Sequence, residues 1–346
     1  MNPILRFLSS AGALAFGGIL GLYVAGPALG AGIVSPVDVS ASAIPLNNTD
    51  PVQDRIGRLR YMGGLVLNAR NMRFGGISDM LWEPGCNRIL AITDAGSWIV
   101  LEPQEQDGRL TGVSAAWIAP LKGPDGSVPA SKRAADAEGM ARLADGSTWV
   151  SFEQDHRLER FADVSACSPE SLASAPDRAV APSEMAGWPE NGGAEAIGPQ
   201  GHRLLVIAEG AKGPDGSRIG LSGVPAQLVP GFNWAPPSGY EPTAMASLGA
   251  DGRDSYLVLH RRFTPLEGVS AILSEAEIPS DPHGRIEGRE IARLRPPLNV
   301  DNMEALAIRV EGERKFVYLM SDNNFNALQR TLLLKFELLP APQGQP

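Results

Sequence analysis

Five acidic residues stand at matching places along this chain: Asp79, Glu138, Glu195, Glu241 and Glu304. Each stands among small or polar residues at the mouth of a short apolar run. A Gly-containing turn follows, then a second apolar run that ends in a polar or charged cluster. Two examples are GGISDMLWEPGCNRILAITDAG from Gly75 and DAEGMARLADGSTWVSFEQD from Asp136. The other copies start GAEAIG at Gly193, YEPTAM at Tyr240 and NMEALA at Asn302. The closing clusters are Asp94; Glu153, Asp155, His156 and Arg157; Glu209; His260, Arg261 and Arg262; and Asp322, Asn323, Asn324 and Asn326.

Gathered in one place, such carboxylates repel one another. A hard cation such as Ca2+, which takes oxygen ligands from carboxylates and amides, would relieve that repulsion. Asp79, Glu138, Glu195, Glu241, Glu304 and Asp322 are the expected metal ligands. In the competing reading, each acid accepts backbone N–H groups from a neighbouring unit and staples the fold. For catalysis, Glu138 and Glu304 would serve as acid or base, with His156 and Arg261 beside them. Arg262, His260, Asn324 and Phe325 are the expected substrate contacts, HRRFTPLEG being the compact basic cluster on that side. No Gly-x-Ser-x-Gly elbow is present, which disfavours an α/β-hydrolase mechanism. No HExxH pattern or Cys/His zinc spacing occurs, and no nucleotide or organic cofactor is indicated.

The positions of the acids follow from their spacing. They lie 59, 57, 46 and 63 residues apart. A period near fifty filled with short apolar runs is the mark of propeller blades. The runs are rich in Val, Ile, Leu and Trp and are bounded by Gly, Asp and Pro, as strands are. The first unit predicts strands at Ile77–Trp82, Arg88–Thr93, Trp98–Glu102 and Gly112–Ala119. The last unit predicts only Glu304–Val310, Phe316–Met320 and Thr331–Leu338, so its fourth strand is expected from Gly57–Asn68. That pairing of the two chain ends would close a five-bladed, all-β propeller; a sixth blade hidden in 163–190 or 211–239 stays open. In such blades the start of the innermost strand and the end of the second strand share one face, so the acids and the polar clusters meet on one rim. Cys86 and Cys167 would share the opposite face, although the sequence alone does not pair them.

Composition sets the outer bounds. The chain has 346 residues, 43% of them hydrophobic, which suits one large β domain. The 39 glycines and 29 prolines suit many turns. The net charge is −9 and no long basic run occurs, so nucleic acid is not an expected partner. Residues 1–34 carry a single charge, Arg6, and a long Gly/Ala-rich apolar run with small residues near Ala28–Ala31. They read as a secretory signal peptide, or, if uncleaved, a membrane anchor. Residues 35–54 are expected to be a flexible lead-in, 55–340 the propeller and 341–346 a tail.

The stretches FGGISDM, ITDAG, DAEGM, GAEAI, EPTAM, DNMEALAI and SDNNF resemble an exported bacterial family known as esterase-like activity of phytase, the phytase-like domain. The resemblance covers about residues 57–338. It implies a β-propeller, a periplasmic or secreted location (or attachment to the inner membrane by the N-terminal segment) and hydrolysis of a small-molecule ester or phosphoester. Two other functions fit the residues: a non-catalytic periplasmic binding propeller with a structural metal, and a lactonase-like hydrolase.

Overall fold

The computed structural model describes residues 33–249 and 254–341. The signal or anchor segment falls outside the described residues, except for its last two positions. Four strands open the described chain: β1 (Ser35–Pro36), β2 (Val39–Ile44), β3 (Arg55–Ile56) and β4 (Leu59–Ala69). Blade 1 follows as β5 (Ile77–Glu83), β6 (Arg88–Thr93), β7 (Ser97–Gln106) and β8 (Arg109–Pro120). A one-turn helix, α1 (Lys132–Ala135), leads into blade 2: β9 (Ala137–Arg142), β10 (Thr148–Phe152), β11 (Arg157–Phe161) and β12 (Arg178–Val180). Blade 3 is β13 (Ala196–Gln200), β14 (Arg203–Lys212), β15 (Arg218–Gly223) and β16 (Val229–Ala235). Blade 4 contains β17 (Glu241–Ser247), β18 (Ser255–Thr264) and β19 (Gly268–Glu277). Next, β20 (Arg285–Glu287) crosses back to lie parallel to β16, and β21 (Arg289–Leu294) completes blade 4. Blade 5 is β22 (Asn302–Glu311), β23 (Arg314–Asp322), β24 (Thr331–Leu338) and, from the other end of the chain, β4.

The expected closure is present: β24 pairs antiparallel with β4, with Leu333 opposite Leu65. Five sheets result, and no sixth blade forms among the described residues. Each innermost strand packs against those of both neighbouring blades, which makes the arrangement a ring. Five apolar clusters, one per pair of adjacent blades, fill the gaps between sheets. A blade is therefore buried on both faces, which is why its strands read as continuous apolar runs rather than strict alternation. The Asp-Gly-Ser turns at Asp125, Asp145 and Asp215 are local caps, in which the carboxylate accepts the backbone N–H of Ser127, Ser147 or Ser217.

The lead-in differs from expectation. Residues 35–54 are not a free linker: β2 adds to the outer edge of β4, and β1 adds to the outer edge of β8. Val39 and Ala41 alternate with serines and turn their apolar side toward the cluster between blades 5 and 1. The segment thus covers two sheet edges that would otherwise be open. On the face away from the acids, Cys86 in the β5–β6 turn is bonded to Cys167 in the β11–β12 connection, which ties blade 1 to blade 2.

Candidate functional site

A repeated β-bulge makes the site. In β9 the ladder to β10 skips Glu138, pairing Gly139 with Ser151 and Ala137 with Phe152. The same skip falls on Ser78 in β5, Thr243 in β17 and Glu304 in β22. Glu195 holds the corresponding place just before β13. A bulged residue leaves the ladder and its side chain is re-aimed; here it turns toward the mouth of the central channel. A second ring comes from the second strand of each blade, at its end for Asp94, Glu153 and Asp322 and three residues before its end for Glu209 and Arg261.

The two rings meet in one buried, charged network. Oxygens of Asp136, Glu138 and Glu153 lie within 4.8 Å of one another, as do those of Glu153, Glu195 and Glu209. Glu153 is common to both groups. Its Oε1 accepts the backbone N–H groups of Gly192 and, at 2.9 Å, Gly193. A Cβ at Gly193 would stand 3.1 Å from His156 Nδ1 and 3.4 Å from Glu153 Cγ, so glycine keeps this approach open. Two cations serve the network. Lys132 Nζ lies 2.8 Å from Asp94 Oδ2 and 2.7 Å from Asp136 Oδ1. Arg261 lies 3.0 Å from both Glu209 Oε1 and Glu304 Oε1. Among the described residues, no ion pair or hydrogen bond holds the carboxylate of Glu138 or Glu195.

Burial, reinforced by the neighbouring carboxylates, holds Glu138 and Glu195 protonated well above the usual range. Burial likewise lifts Glu304 to about 8, although Arg261 opposes it. Asp322 rises to about 7 through burial and the nearby Asp94. Asp94 and Glu153 are raised by the same causes. Asp94 Oδ1 is buried without a hydrogen-bond partner. An oxygen-only donor set that resists ionising on its own is suited to a hard cation, and the two acid groups could hold a metal ion.

Glu138, Glu195, Glu304, Asp322 and Arg261 are brought together as the repeat implied. Asp79 is not with them. It lies one residue past the bulge, and strand alternation turns it into the gap between blades, where its two oxygens accept Met80 and Met140 N–H at 2.8 Å. It is the blade staple of the competing reading. Glu241 lies two residues before the bulge and pairs with Arg218 of blade 3. His260 is not a substrate contact: it is fully buried, its Nε2 accepts Trp234 Nε1–H at 3.0 Å, and burial pulls its pKa down to about 3. Arg262 pairs with Glu267 over the Tyr240 ring, outside the network. His156 stands beside Glu153 with Nε2 bonded to Pro189 O at 2.9 Å, leaving a buried, unpartnered Nδ1.

Asn324 and Phe325 form part of the rim, both with left-handed backbone at φ 46 and 49. Asp322 Oδ1 accepts Asn324 N–H, and Asn323 Oδ1 accepts Phe325 N–H. The half-exposed Phe325 ring lies over Gly76, where a Cβ would come within 2.7 Å of the ring and 2.1 Å of Asp94 Oδ1. Sequence reasoning missed Asp136 and Lys132 as members of the site. Asp136 had a signal, standing two residues before Glu138 in DAEGM; Lys132 lies in a connection outside the repeat and had none.

The fold and this mouth define a five-bladed β-propeller with a carboxylate-lined opening on one face. The chain belongs to the phytase-like family described as esterase-like activity of phytase, whose model matches residues 72–325. Among solved structures it is similar to the allergen Mala s 1 of Malassezia sympodialis, at 12% identity and TM-score 0.42, over 85% of this chain and 95% of that one. A gluconolactonase of Xanthomonas campestris matches at 12% identity and TM-score 0.38, over 89% and 99% of the respective chains. The protein U3-55K matches at 9% identity and TM-score 0.36, over 75% and 95%. Comparison with curated proteins gave no match.

Proposed function

We propose that this protein is an exported hydrolase of small-molecule esters, phosphoester or carboxylic, working with a divalent cation in the acidic mouth. The observation that carries the reading is the pair of acid groups sharing Glu153, with Arg261 alongside. Glu153 would hold the ion together with Glu138 or with Glu195 and Glu209, and their all-oxygen chemistry favours Ca2+. When bound, the ion would polarise the ester and lower the pKa of a water.

The chain's own groups fit the remaining tasks. Glu304 Oε1 accepts from Asn302 and faces Arg261, so the proton it retains near neutral pH sits on Oε2, available to a leaving oxygen. Arg261 offers guanidinium N–H groups to an anionic substrate oxygen. The unpartnered Nδ1 of His156 can accept a proton. Phe325 and Asn324 supply a wall for the rest of the substrate. Export to the periplasm or beyond rests on the apolar N-terminal segment and is supported by the Cys86–Cys167 bond, since disulfides persist in oxidising compartments.

The test is turnover of nitrophenyl phosphate, nitrophenyl acyl esters and lactones, with and without Ca2+. Turnover that needs Ca2+ is expected, and should fall at least a hundredfold in Glu153→Gln and Glu304→Gln variants that keep their melting temperature. Ca2+ binding without turnover on any class would leave a binding propeller and defeat the proposal.

A further inference from the structure

We infer that Lys132 is a tethered counter-ion, which a divalent cation must displace from Asp136 before it can use that residue. Lys132 would then be a positioning residue that sets the ion affinity of the mouth. The inference rests on the cation reading above and adds a residue to it.

Lys132 is the first residue of α1, in the connection between blades 1 and 2. Its ammonium bridges Asp94, at the end of β6, and Asp136, at the entry to β9. Asp136 belongs to the Asp136–Glu138–Glu153 group, and each of its oxygens already accepts one donor. Oδ1 accepts from Lys132 at 2.7 Å, and Oδ2 accepts from Gln154 Nε2. The side chain is 2% exposed, so water cannot take over from a lost donor without the site opening. An incoming ion that draws on Asp136 would stand close to the Lys132 ammonium, 2.7 Å from Oδ1, and the repulsion between the two cations drives that donor out.

The geometry picks out which one leaves. Gln154 is anchored by its backbone: its carbonyl accepts from Arg133 at 2.9 Å and its N–H donates to Glu190 O. Lys132 is held by the two carboxylates and a 3.4 Å contact to the Asp94 carbonyl, and 48% of its side chain is exposed. A flexible stem lets its ammonium move outward, toward the more exposed Asp94, with little rearrangement of the fold. One tethered positive charge is thereby exchanged for a free doubly charged ion. Without the ion, Lys132 keeps Asp94 and Asp136 from repelling each other.

Calorimetric titration with Ca2+ of the full chain and two variants tests this. Lys132→Met should tighten Ca2+ binding about tenfold while lowering the melting temperature of the ion-free protein. Arg160→Met, the same charge change elsewhere in blade 2 on a side chain that pairs with Asp145 and Asp177, should alter affinity less than threefold. Should the Met variant fail to fold, Lys132→Gln takes its place. Equal tightening in both variants would reduce the effect to general charge and overturn the inference. So would unchanged or weaker binding in the Lys132 variant, which would put the ion at Glu153–Glu195–Glu209. In those cases Ca2+ still binds the unmodified protein and the cation reading survives. No Ca2+ binding by the unmodified protein would overturn both together.

Discussion

Buried charge is handled in two opposite ways in this molecule. In the seam between blades 5 and 1, Lys335 is 1% exposed, yet its ammonium meets Glu105 Oε2 at 2.7 Å, Gly108 O at 2.8 Å and the Phe316 ring at 4.4 Å. Glu105 Oε1 also accepts from Tyr318 Oη at 2.7 Å and Arg309 at 3.1 Å, and Arg309 lies over Trp82. Burial alone would push Glu105 up, but its hydrogen bonds from Lys335 and Tyr318 hold it below the usual carboxylate range. In the mouth, carboxylates outnumber cations, and among the described residues no ion pair or hydrogen bond holds Glu138 or Glu195. A buried charge with every partner present is architecture; a surplus of one sign, held in place by bulges and loop caps, is an unmet demand for a ligand.

The largest expected contrast tests the seam. Lys335→Met leaves Glu105 short of its closest cation and should cost about 3 kcal/mol in urea unfolding, since breaking a buried pair from one side is severe. Ca2+ affinity should stay as it was. Loss of ion binding in this variant would show that the two regions are coupled and break the comparison.

The mouth should respond with the opposite sign. Glu138→Gln supplies without a proton the neutral side chain that the ion-free fold favours at this position, and should raise its stability at pH 8 by about 1 kcal/mol, as functional-site substitutions often do. Destabilisation by that substitution would mean Glu138 is structural after all. Acidity gives the same contrast without mutation. Glu304 and Asp322 titrate near 8 and 7 in the fold, above their ordinary values of 4.5 and 3.8. Over that interval the folded protein holds protons that the unfolded chain has released. Their stabilisation is therefore full only below those ordinary values and is lost steadily as pH rises toward 8. Melting temperature of the ion-free protein should fall from pH 5 to pH 8, and Ca2+ should flatten the fall. A rise over that range in the ion-free protein would contradict the charge surplus.

The smallest expected effect is at the rim. Phe325→Gly relieves a left-handed backbone and should gain about 0.5 kcal/mol in stability, while KM rises for nitrophenyl esters and kcat changes little. A loss of stability would show that the ring holds the loop rather than a ligand.

The five-bladed ring, its closure by β4 and the shared face of the acids were legible because blades repeat, and a repeat fixes which positions are equivalent. Glu138, Glu195 and Glu304 were found that way. Asp79 and Glu241 fall outside the group because the repeat fixes equivalent positions only to within one or two residues, whereas strand alternation tolerates no shift: one step past the bulge sends Asp79 between blades. His260 looked like a rim residue because it follows an apolar run, but its partner Trp234 lies 26 positions away in another blade. Lys132 was invisible for a related reason, since it acts across a connection that no repeat describes. The lead-in was misjudged because serine and alanine read as linker composition, although their alternation is that of an edge strand.

The pairing of Leu65 with Leu333 reaches across almost the entire length of the chain. A ribosome or translocation channel delivers these partners at opposite ends of synthesis, so blade 5 cannot form until the last strand emerges. Until then the early strands have an unfilled neighbour and the molecule stays unsealed. Ring closure between such distant strands, set by loop entropy, would be the slow and late step of folding.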